Sequence, residues 1–321
     1  MSGPAPANDG ISHARIAVLD MARGGALVAM FAYHLVWDFA HFGLIDAQRP
    51  FRPDMRLFSH VIACAFLFIA GVSMALAQRT PFDWRAYWRR IAMVGAAAAL
   101  VTLASWLLFP QALIFFGILH CIAAASLLAL PFQFLRWPAA AIAGIICFAL
   151  PELATPAIFE TKALIWIGLG KTMPLTNDFR PLLPWAGALL IGLAAGKAMA
   201  GTRAFAALAA ISGANPPARL LAFGGRHSLL VYLVHQPIFF GVLTAAVWAF
   251  GPPAPAGEQP FRAACERQCT TTGAGAAQCQ QSCACVVRTI KRLDLWDKLN
   301  NTGLNSAEQT VLGRVARDCA K

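Results

Sequence analysis

The chain has few charged residues, and acidic residues are the scarcest of them. Only 13% of its 321 residues are charged, with 15 Asp and Glu against 26 Lys and Arg. A soluble domain carries about twice that charged fraction, whereas this chain is 58% hydrophobic with a mean hydropathy of +0.59. The composition excludes an ordinary soluble domain. It predicts an all-α polytopic membrane protein whose surroundings are the lipid bilayer.

Two further features are missing. The first 14 residues are polar and contain Pro and Gly, and the apolar run behind them is too long for a signal peptide, so we expect no cleavable one. The net charge of +11 is not spread along a surface, because the Arg and Lys residues cluster between apolar runs. Basic residues in that position orient membrane proteins. We therefore expect no nucleic-acid partner.

Seven apolar runs are long enough, or nearly so, to cross the ~30 Å core of a bilayer. They cover residues 16–43, 57–78, 89–108, 112–130, 137–151, 181–200 and 227–250. Two other apolar pieces are shorter. Residues 158–170 are expected to be interfacial or re-entrant, and residues 204–211 stop before a pair of prolines.

Basic residues predict the orientation of these spans. A cytoplasmic N-terminus leaves ten Arg and Lys inside and six outside, with nearly all acidic residues outside. We therefore expect a multi-pass protein of the bacterial inner membrane. Seven spans place the C-terminal tail in the periplasm, whereas a crossing by residues 204–211 would reverse that side.

The composition changes after Gly251 and divides the chain. We expect a flexible N-terminus at 1–14 and a transmembrane acyltransferase-like domain at 15–250. A Pro-rich linker is expected at 251–262, followed by a Cys-rich helical exterior module at 263–321. The tail module is a candidate contact for a periplasmic partner or a second copy of the chain.

The tail contains six of the nine cysteines and no histidine. The six are Cys265, Cys269, Cys279, Cys283, Cys285 and Cys319. Two C-x3-C pairs place their cysteines on one helix face, so an antiparallel hairpin would join Cys265 to Cys283 and Cys269 to Cys279. Cys285 is then left for Cys319, on a helix that Ser306 and Gln309 are expected to cap. Fifteen pairings are possible, and a zinc site is the alternative to disulfides.

The first apolar run contains a group of ionisable residues, which are expensive inside a membrane and usually mark a site. Arg23 and His34 are eleven positions apart, which puts them on one helical stripe about 16 Å apart along the axis. Asp38 and His41 continue that stripe. Arg23 can hold phosphate oxygens, and His34, oriented by Asp38, can act as a base. Otherwise Arg23 marks the membrane boundary, and the histidine is a polar residue satisfied by a neighbouring helix.

Five short segments resemble known membrane acyltransferases. Residues 19–34, LDMARGGAL through AYH, are similar to the first span of bacterial polysaccharide O-acetyltransferases, which share an Arg-x10-His signature. Four more segments resemble the heparan-α-glucosaminide N-acetyltransferase catalytic-domain family and its bacterial relatives, at residues 66–73, 116–120, 178–185 and 225–237. The resemblance spreads over about residues 15–240 and leaves out the tail.

The resemblance implies an enzyme that moves an acyl group from cytoplasmic acetyl-CoA to a sugar or glycan on the exterior face, with no metal. It implies that His34 is the catalytic histidine and Arg23 its basic partner, with Arg226 as a second cofactor contact. The essential histidine of the heparan-type enzyme sits further out, where this chain offers His41 and Asp38. Residues on the acceptor side are His120, Asp178, Trp185 and His235.

Two other functions fit the histidine content. A transporter or lipid-carrier flippase could relay protons through intramembrane His and Asp residues. A haem-b electron carrier could use pairs of helix histidines as axial ligands. The haem carrier gives Arg23 no role, and no inverted repeat typical of a transporter is detected in the sequence, so we rank the acyltransferase first.

Overall fold

The structure is a computed structural model that describes residues 16–46, 48–77, 81–250, 258–271, 273–299 and 304–320. Residues 1–14, predicted to be flexible, lie outside this part of the chain. Within it are thirteen helices: α1 Ala17–His41, α2 Pro53–Leu76, α3 Trp84–Leu108, α4 Ile118–Leu128, α5 Leu130–Phe134, α6 Trp137–Leu153, α7 Leu182–Met199, α8 Arg203–Ala209, α9 Pro216–Arg226, α10 Ser228–Phe250, α11 Glu258–Thr271, α12 Ala276–Arg292 and α13 Ser306–Cys319.

The helices confirm the predicted all-helical membrane protein. Each of the seven apolar runs contains a helix, and four helices of the described chain, α2, α3, α7 and α10, are long and apolar enough to cross a membrane. Helix α1 has 25 residues but carries three charged side chains, Asp20, Arg23 and Asp38. Helices α4 and α6 are apolar but shorter, with 11 and 17 residues.

The two short apolar pieces are too short to cross. Residues 158–170 contain two 3₁₀ turns, Ala157–Glu160 and Ile165–Ile167. Residues 204–211 fall in and just after α8, which has seven residues and is therefore about 10 Å long. A crossing by this piece would need about three times that length.

The chain divides into two compact units. The first comprises residues 1–34 and 53–237, and the second comprises residues 35–52 and 238–321. The division therefore cuts through α1 and α10. Residues 251–257 of the predicted linker are outside the described chain, and residues 258–262 form the beginning of α11.

The core of the first unit is built around α7, whose residues Ala186, Leu189 and Leu193 are fully buried. Helices α2 and α7 approach so closely that a Cβ at Gly71 would overlap the carbonyl oxygen of Leu189, and one at Gly192 that of Phe68. Helices in lipid gain little from hydrophobic burial against each other, so contact through small residues stabilises their packing.

The second unit includes a disulfide-linked helical tail. Its bonds join Cys265 to Cys283, Cys269 to Cys279, and Cys285 to Cys319. The first two are the pairs that the hairpin geometry predicts, and the third joins the two cysteines that the hairpin leaves over. Because all six sulfurs are bonded in this way, the tail cysteines offer no thiolates for the alternative zinc site.

The N-cap of α13 was predicted at Ser306, but it lies one residue earlier, at Asn305. Glu308 N donates to Asn305 Oδ1 and Asn305 N donates to Glu308 Oε2, each at 2.9 Å. Asn and Glu form a capping box here in place of Ser306 and Gln309, because Asn is at least as good an N-cap residue as Ser. Val286, Ile290, Leu295 and Val315 form the small core of the tail.

Candidate functional site

Arg23 lies on the second turn of α1 and is held by two side chains. Its Nη1 donates to Asp20 Oδ1 at 2.8 Å, and its Nη2 donates to Ser73 Oγ of α2 at 2.5 Å. Ser73 in turn donates to the carbonyl oxygen of Ile69 at 2.5 Å. The guanidinium is therefore fixed in position, which rules out a freely snorkelling side chain.

Arg23 lines a cavity of about 700 Å³ in the first unit. Three more arginines line the same cavity, Arg89, Arg90 and Arg226, against only two carboxylates, Asp20 and Asp83. The arginines come from α1, α3 and α9, so the excess of positive charge depends on the fold. Planar guanidinium groups in such numbers suit phosphate oxygens, which they bind in bidentate fashion.

Arg226 reaches this cavity because α9 touches α1 directly. A Cβ at Gly24 would overlap the carbonyl oxygen of Leu221, and a Cβ at Gly225 would overlap that of Asp20. Glycine is the residue that permits two backbones to approach this closely. The sequence segment Gly-Gly-Arg at 224–226 thus combines the contact with α1 and the arginine that lines the cavity.

Another side of the cavity is fixed by a lysine. Gln133, at the end of α5, lines the cavity. Lys197 of α7 donates from Nζ to the carbonyl oxygens of Phe132 at 2.8 Å and of Gln133 and Leu135 at 2.7 Å each. The ammonium satisfies carbonyls that a helix end leaves without helical partners.

His34 lies eleven residues beyond Arg23 on the same uninterrupted helix. Its ring makes an edge contact with that of His235, with centroids 4.9 Å apart and planes at 62°. His235 is 5% exposed, and its ring stacks on Phe31 at 5.3 Å. The structure therefore brings together two histidines that the sequence assigned separately to catalysis and to acceptor binding.

The tautomer of His235 follows from its backbone contact. Nδ1 lies 2.6 Å from the carbonyl oxygen of Tyr232, and a carbonyl oxygen only accepts, so Nδ1 carries the proton. In the neutral ring Nε2 is then the acceptor. The close contact of the two rings leaves no room for a haem between them, so this pair does not serve as its two axial ligands.

Arg180 is a residue of this region that sequence reasoning did not select. Its backbone N donates to the carbonyl oxygen of Phe116 at 3.0 Å, and its guanidinium donates to Ser59 Oγ and lies 5.2 Å from the Trp185 ring. Arg89 and Arg90 were interpreted only as topology signals, and Arg180 was counted with them although it lies in the segment 178–185 on which the family resemblance rests.

Asp178 and His120 were predicted on the acceptor side. In the structure both side chains form hydrogen bonds with the backbone at the start of α4. Asp178 Oδ2 accepts from the N–H of Ile118 at 2.9 Å. His120 Nδ1 accepts from Gly117 N at 3.3 Å, and its Nε2 lies 3.2 Å from Thr102 Oγ1. His120 lines an apolar groove of about 440 Å³, separate from the arginine cavity. These contacts give both residues a role in holding α4.

Asp38 and His41 belong to the second unit. Asp38 is fully buried and lies one turn after His34 on α1. The His41 ring stacks on Trp37 at 5.7 Å and 8°, and lies 5.2 Å from the ring of Phe240. His41 is thus part of an aromatic cluster, and its catalytic role stays a prediction.

Comparison with known proteins gives the family. The family described as "Heparan-alpha-glucosaminide N-acetyltransferase, catalytic" matches residues 15–237. The chain belongs to this family. The match covers α1 to α9 and the first part of α10, so the N-acetyltransferase catalytic region contains both the arginine cavity and the histidine pair. No curated protein and no solved structure matches the chain.

Membership confirms the resemblance drawn from the sequence. It identifies the protein as a membrane acetyltransferase, in agreement with its apolar helices. Residues 238–321, which include the second half of α10 and the disulfide-linked tail, lie outside the family match. The chemistry of an N-acetyltransferase catalytic domain therefore has to be sought among residues 15–237.

Proposed function

We propose that the protein transfers an acetyl group from cytoplasmic acetyl-CoA to a sugar or glycan on the exterior face of the bacterial inner membrane. One observation carries the proposal: the arginine cavity and His34 lie at two levels of the same helix. Their separation is about 16 Å along the axis. That is about the length of the pantetheine arm that joins the phosphates of CoA to its thioester.

The arginine cavity binds the phosphate end of the donor. Arg23, Arg89, Arg90 and Arg226 offer positive charge from three helices. Arg23 is fixed by Asp20 and Ser73 before any ligand binds, so little side-chain freedom is lost on binding. Because basic residues are prevalent at this end of the helices, we place the cavity on the cytoplasmic side of the membrane, where acetyl-CoA is found.

His34 acts on the reacting groups. As a general base, it accepts the proton of the acceptor hydroxyl or amine while the acceptor oxygen or nitrogen attacks the thioester carbonyl. The carbon–sulfur bond then breaks and CoA leaves as the thiolate, which takes up a proton. In the two-step form, His34 itself attacks the thioester, carries the acetyl group and passes it to the acceptor.

Neighbouring side chains support these steps. His235 restricts the His34 ring by direct contact. The Arg180 charge favours the negative oxygen that develops on the carbonyl. Trp185 offers an aromatic face on the acceptor side.

The test is transfer of label from radiolabelled acetyl-CoA in membranes that contain the protein. His34→Asn is expected to lower transfer about 100-fold or more, which is the range of a lost general base or nucleophile. His227→Asn is the matched control, because His227 is exposed and bonds to its own helix at Phe223.

The location of the label separates the alternatives. Label on glycan or lipid alone indicates direct transfer, and acid-labile label on the protein indicates an acetyl-histidine. Unchanged transfer by His34→Asn would remove His34 from the mechanism. Absence of any transfer or acetyl-CoA hydrolysis by the folded wild-type protein would favour the transporter.

A further inference from the structure

Helix α9 has one face against the protein and an opposite face that nothing in the described chain covers. It begins after the N-cap Asn215, whose Oδ1 accepts from Ala218 N at 2.9 Å, and it ends at Arg226. Ala222 and Gly225 are buried, and Gly225 touches α1. On the other side Leu220 is 72% exposed and Phe223 is 57% exposed.

The exposed face combines apolar residues with arginines. Arg219 and Arg226 are seven residues apart, so they lie within about 20° of each other around the helix axis. Leu220 and Phe223 lie next to them on the same side. The neighbouring α8 repeats the combination, with Arg203 exposed and Leu208 37% exposed.

Helix α9 and the chain on either side of it carry no negative charge of their own, and Asp20, whose backbone lies against Gly225, is already paired with Arg23. The sequence has no Asp or Glu between residues 179 and 257. Helix α9 has 11 residues, which makes it about 16 Å long and too short to cross a bilayer. A short helix with an apolar face and flanking Arg residues suits the boundary between lipid headgroups and acyl chains.

We propose that α9 lies in the membrane interface and binds the anionic headgroups of phospholipids through Arg219, with Leu220 and Phe223 inserted among the upper acyl carbons. The charge decides in favour of lipid. A second copy of the chain would bring its own arginines against Arg219 and Arg226, whereas an anionic leaflet supplies the missing negative charge.

The contact has a consequence for the arginine cavity. Arg226 belongs both to the end of α9 and to the cavity wall, and Gly225 holds this end of α9 against α1. If α9 lies in the interface, the side of the cavity lined by Arg226 lies at the level of the headgroups on the same side of the bilayer.

The first measurement is the depth of α9 in the full-length protein reconstituted in nanodiscs. A spin label on Leu220→Cys is expected to collide more often with oxygen dissolved in lipid than with a water-soluble nickel complex. A label on Gln48→Cys, in an exposed loop, should show the opposite preference. Labelled wild-type protein supplies the background from Cys64, Cys121 and Cys147, and Phe223→Cys repeats the test at a second position.

The second measurement is the retention of phosphatidylglycerol over phosphatidylcholine by the purified protein, read by native mass spectrometry. Arg219→Gln should weaken the preference about fivefold, the value expected for one basic residue at an anionic surface. Arg85→Gln, an exposed arginine on α3 outside the cavity lining, should change it much less.

Each contrary result overturns the proposal. Water-like collisions at both Leu220→Cys and Phe223→Cys would show that α9 stands away from the bilayer. Shielding from both reagents would show that a protein surface covers it. An unchanged lipid preference in Arg219→Gln would remove the anionic headgroup from the interaction.

Discussion

The first unit, called the membrane unit below, and the disulfide-linked tail are both helical, yet different interactions hold their helices together. In the membrane unit, Gly71 and Gly192 permit α2 and α7 to touch, and Gly24 and Gly225 do the same for α1 and α9. The tail has its three disulfides and a small core around Ile290. The first unit also buries an apolar core around α7, whereas the core of the tail is small.

The difference follows from the solvent that each region is built for. In a bilayer, lipid chains satisfy apolar side chains, so stability comes from close backbone contact and internal hydrogen bonds. A small module in water cannot bury enough apolar surface, and disulfides compensate by restricting the unfolded chain. Substitutions that remove space should therefore damage the membrane unit most, and loss of a disulfide should damage the tail most.

The largest expected effect is in the membrane unit. Gly71→Leu would push a side chain into the backbone of α7 at Leu189, and we expect loss of folded, detergent-stable protein. Gly95→Leu is the control, since a Cβ at Gly95 meets nothing within 4 Å. Size-exclusion chromatography after thermal challenge measures both. Equal stability of the two variants would contradict the packing account.

The second effect concerns the tail. Cys285 and Cys319 are separated by 34 residues, and Cys269 and Cys279 by 10. Replacing the first pair by Ser should lower the free energy of unfolding of the tail by about 4 kcal/mol, and replacing the second pair by about 3 kcal/mol. Hydrogen exchange of the α12 amides in the full protein compares them. A larger loss from the shorter loop would show that chain entropy does not decide the order.

A third effect separates donor binding from the stability of either region. Arg23→Gln should weaken acetyl-CoA binding about 10- to 150-fold, because a hydrogen bond to a charged group is worth about 1.5–3 kcal/mol. Arg85→Gln should leave binding unchanged, and both variants should keep wild-type exchange in the tail. Isothermal titration of nanodisc samples measures the affinity. Equal weakening by both arginines would indicate general charge attraction in place of a built site.

The smallest effect is the pH dependence of the tail. A hydrogen bond from Lys291 to Glu258 lowers the pKa of Glu258 below its ordinary value of 4.5. The pair therefore stabilises the tail above that value, and the contribution disappears as the pH falls through the lowered pKa. Because both groups are exposed, added salt should erase most of it. Hydrogen exchange of α11 in wild type and Glu258→Gln should differ at neutral pH and converge in acid.

Helical periodicity in the sequence was sufficient to predict features whose residues lie on one helix or on two helices joined by a short turn. The common stripe of Arg23 and His34 depends only on an unbroken α1, and the disulfides of Cys265 and Cys269 depend only on two helices and a turn. The bond from Cys285 to Cys319 followed as the pair that was left over. The partners across the chain were not predictable from a local pattern. Ser73 binds Arg23 from fifty residues away and Asp178 caps α4 from sixty residues away, and both contacts exist only after the helices pack.

Arginines show the same limit. Arg89 and Arg90 have the spacing of topology signals, and Arg180 lies in the resembling segment 178–185 but was not selected for the site. Their convergence with Arg23 or with Trp185 is a property of the folded first unit. Arg226, predicted as a second cofactor contact, lines the same cavity as Arg23, and its role in binding the cofactor stays a prediction.

The most direct test of the donor site uses bromoacetyl-CoA, which has the length of acetyl-CoA and alkylates a nearby nucleophile with loss of bromide. The account predicts that peptide mass spectrometry finds the added group on His34, that acetyl-CoA protects against it, and that Arg23→Gln slows it while Arg85→Gln does not. Modification confined to other residues, or labelling of His34 that ignores Arg23 and acetyl-CoA, would contradict a cofactor held between these two levels of α1.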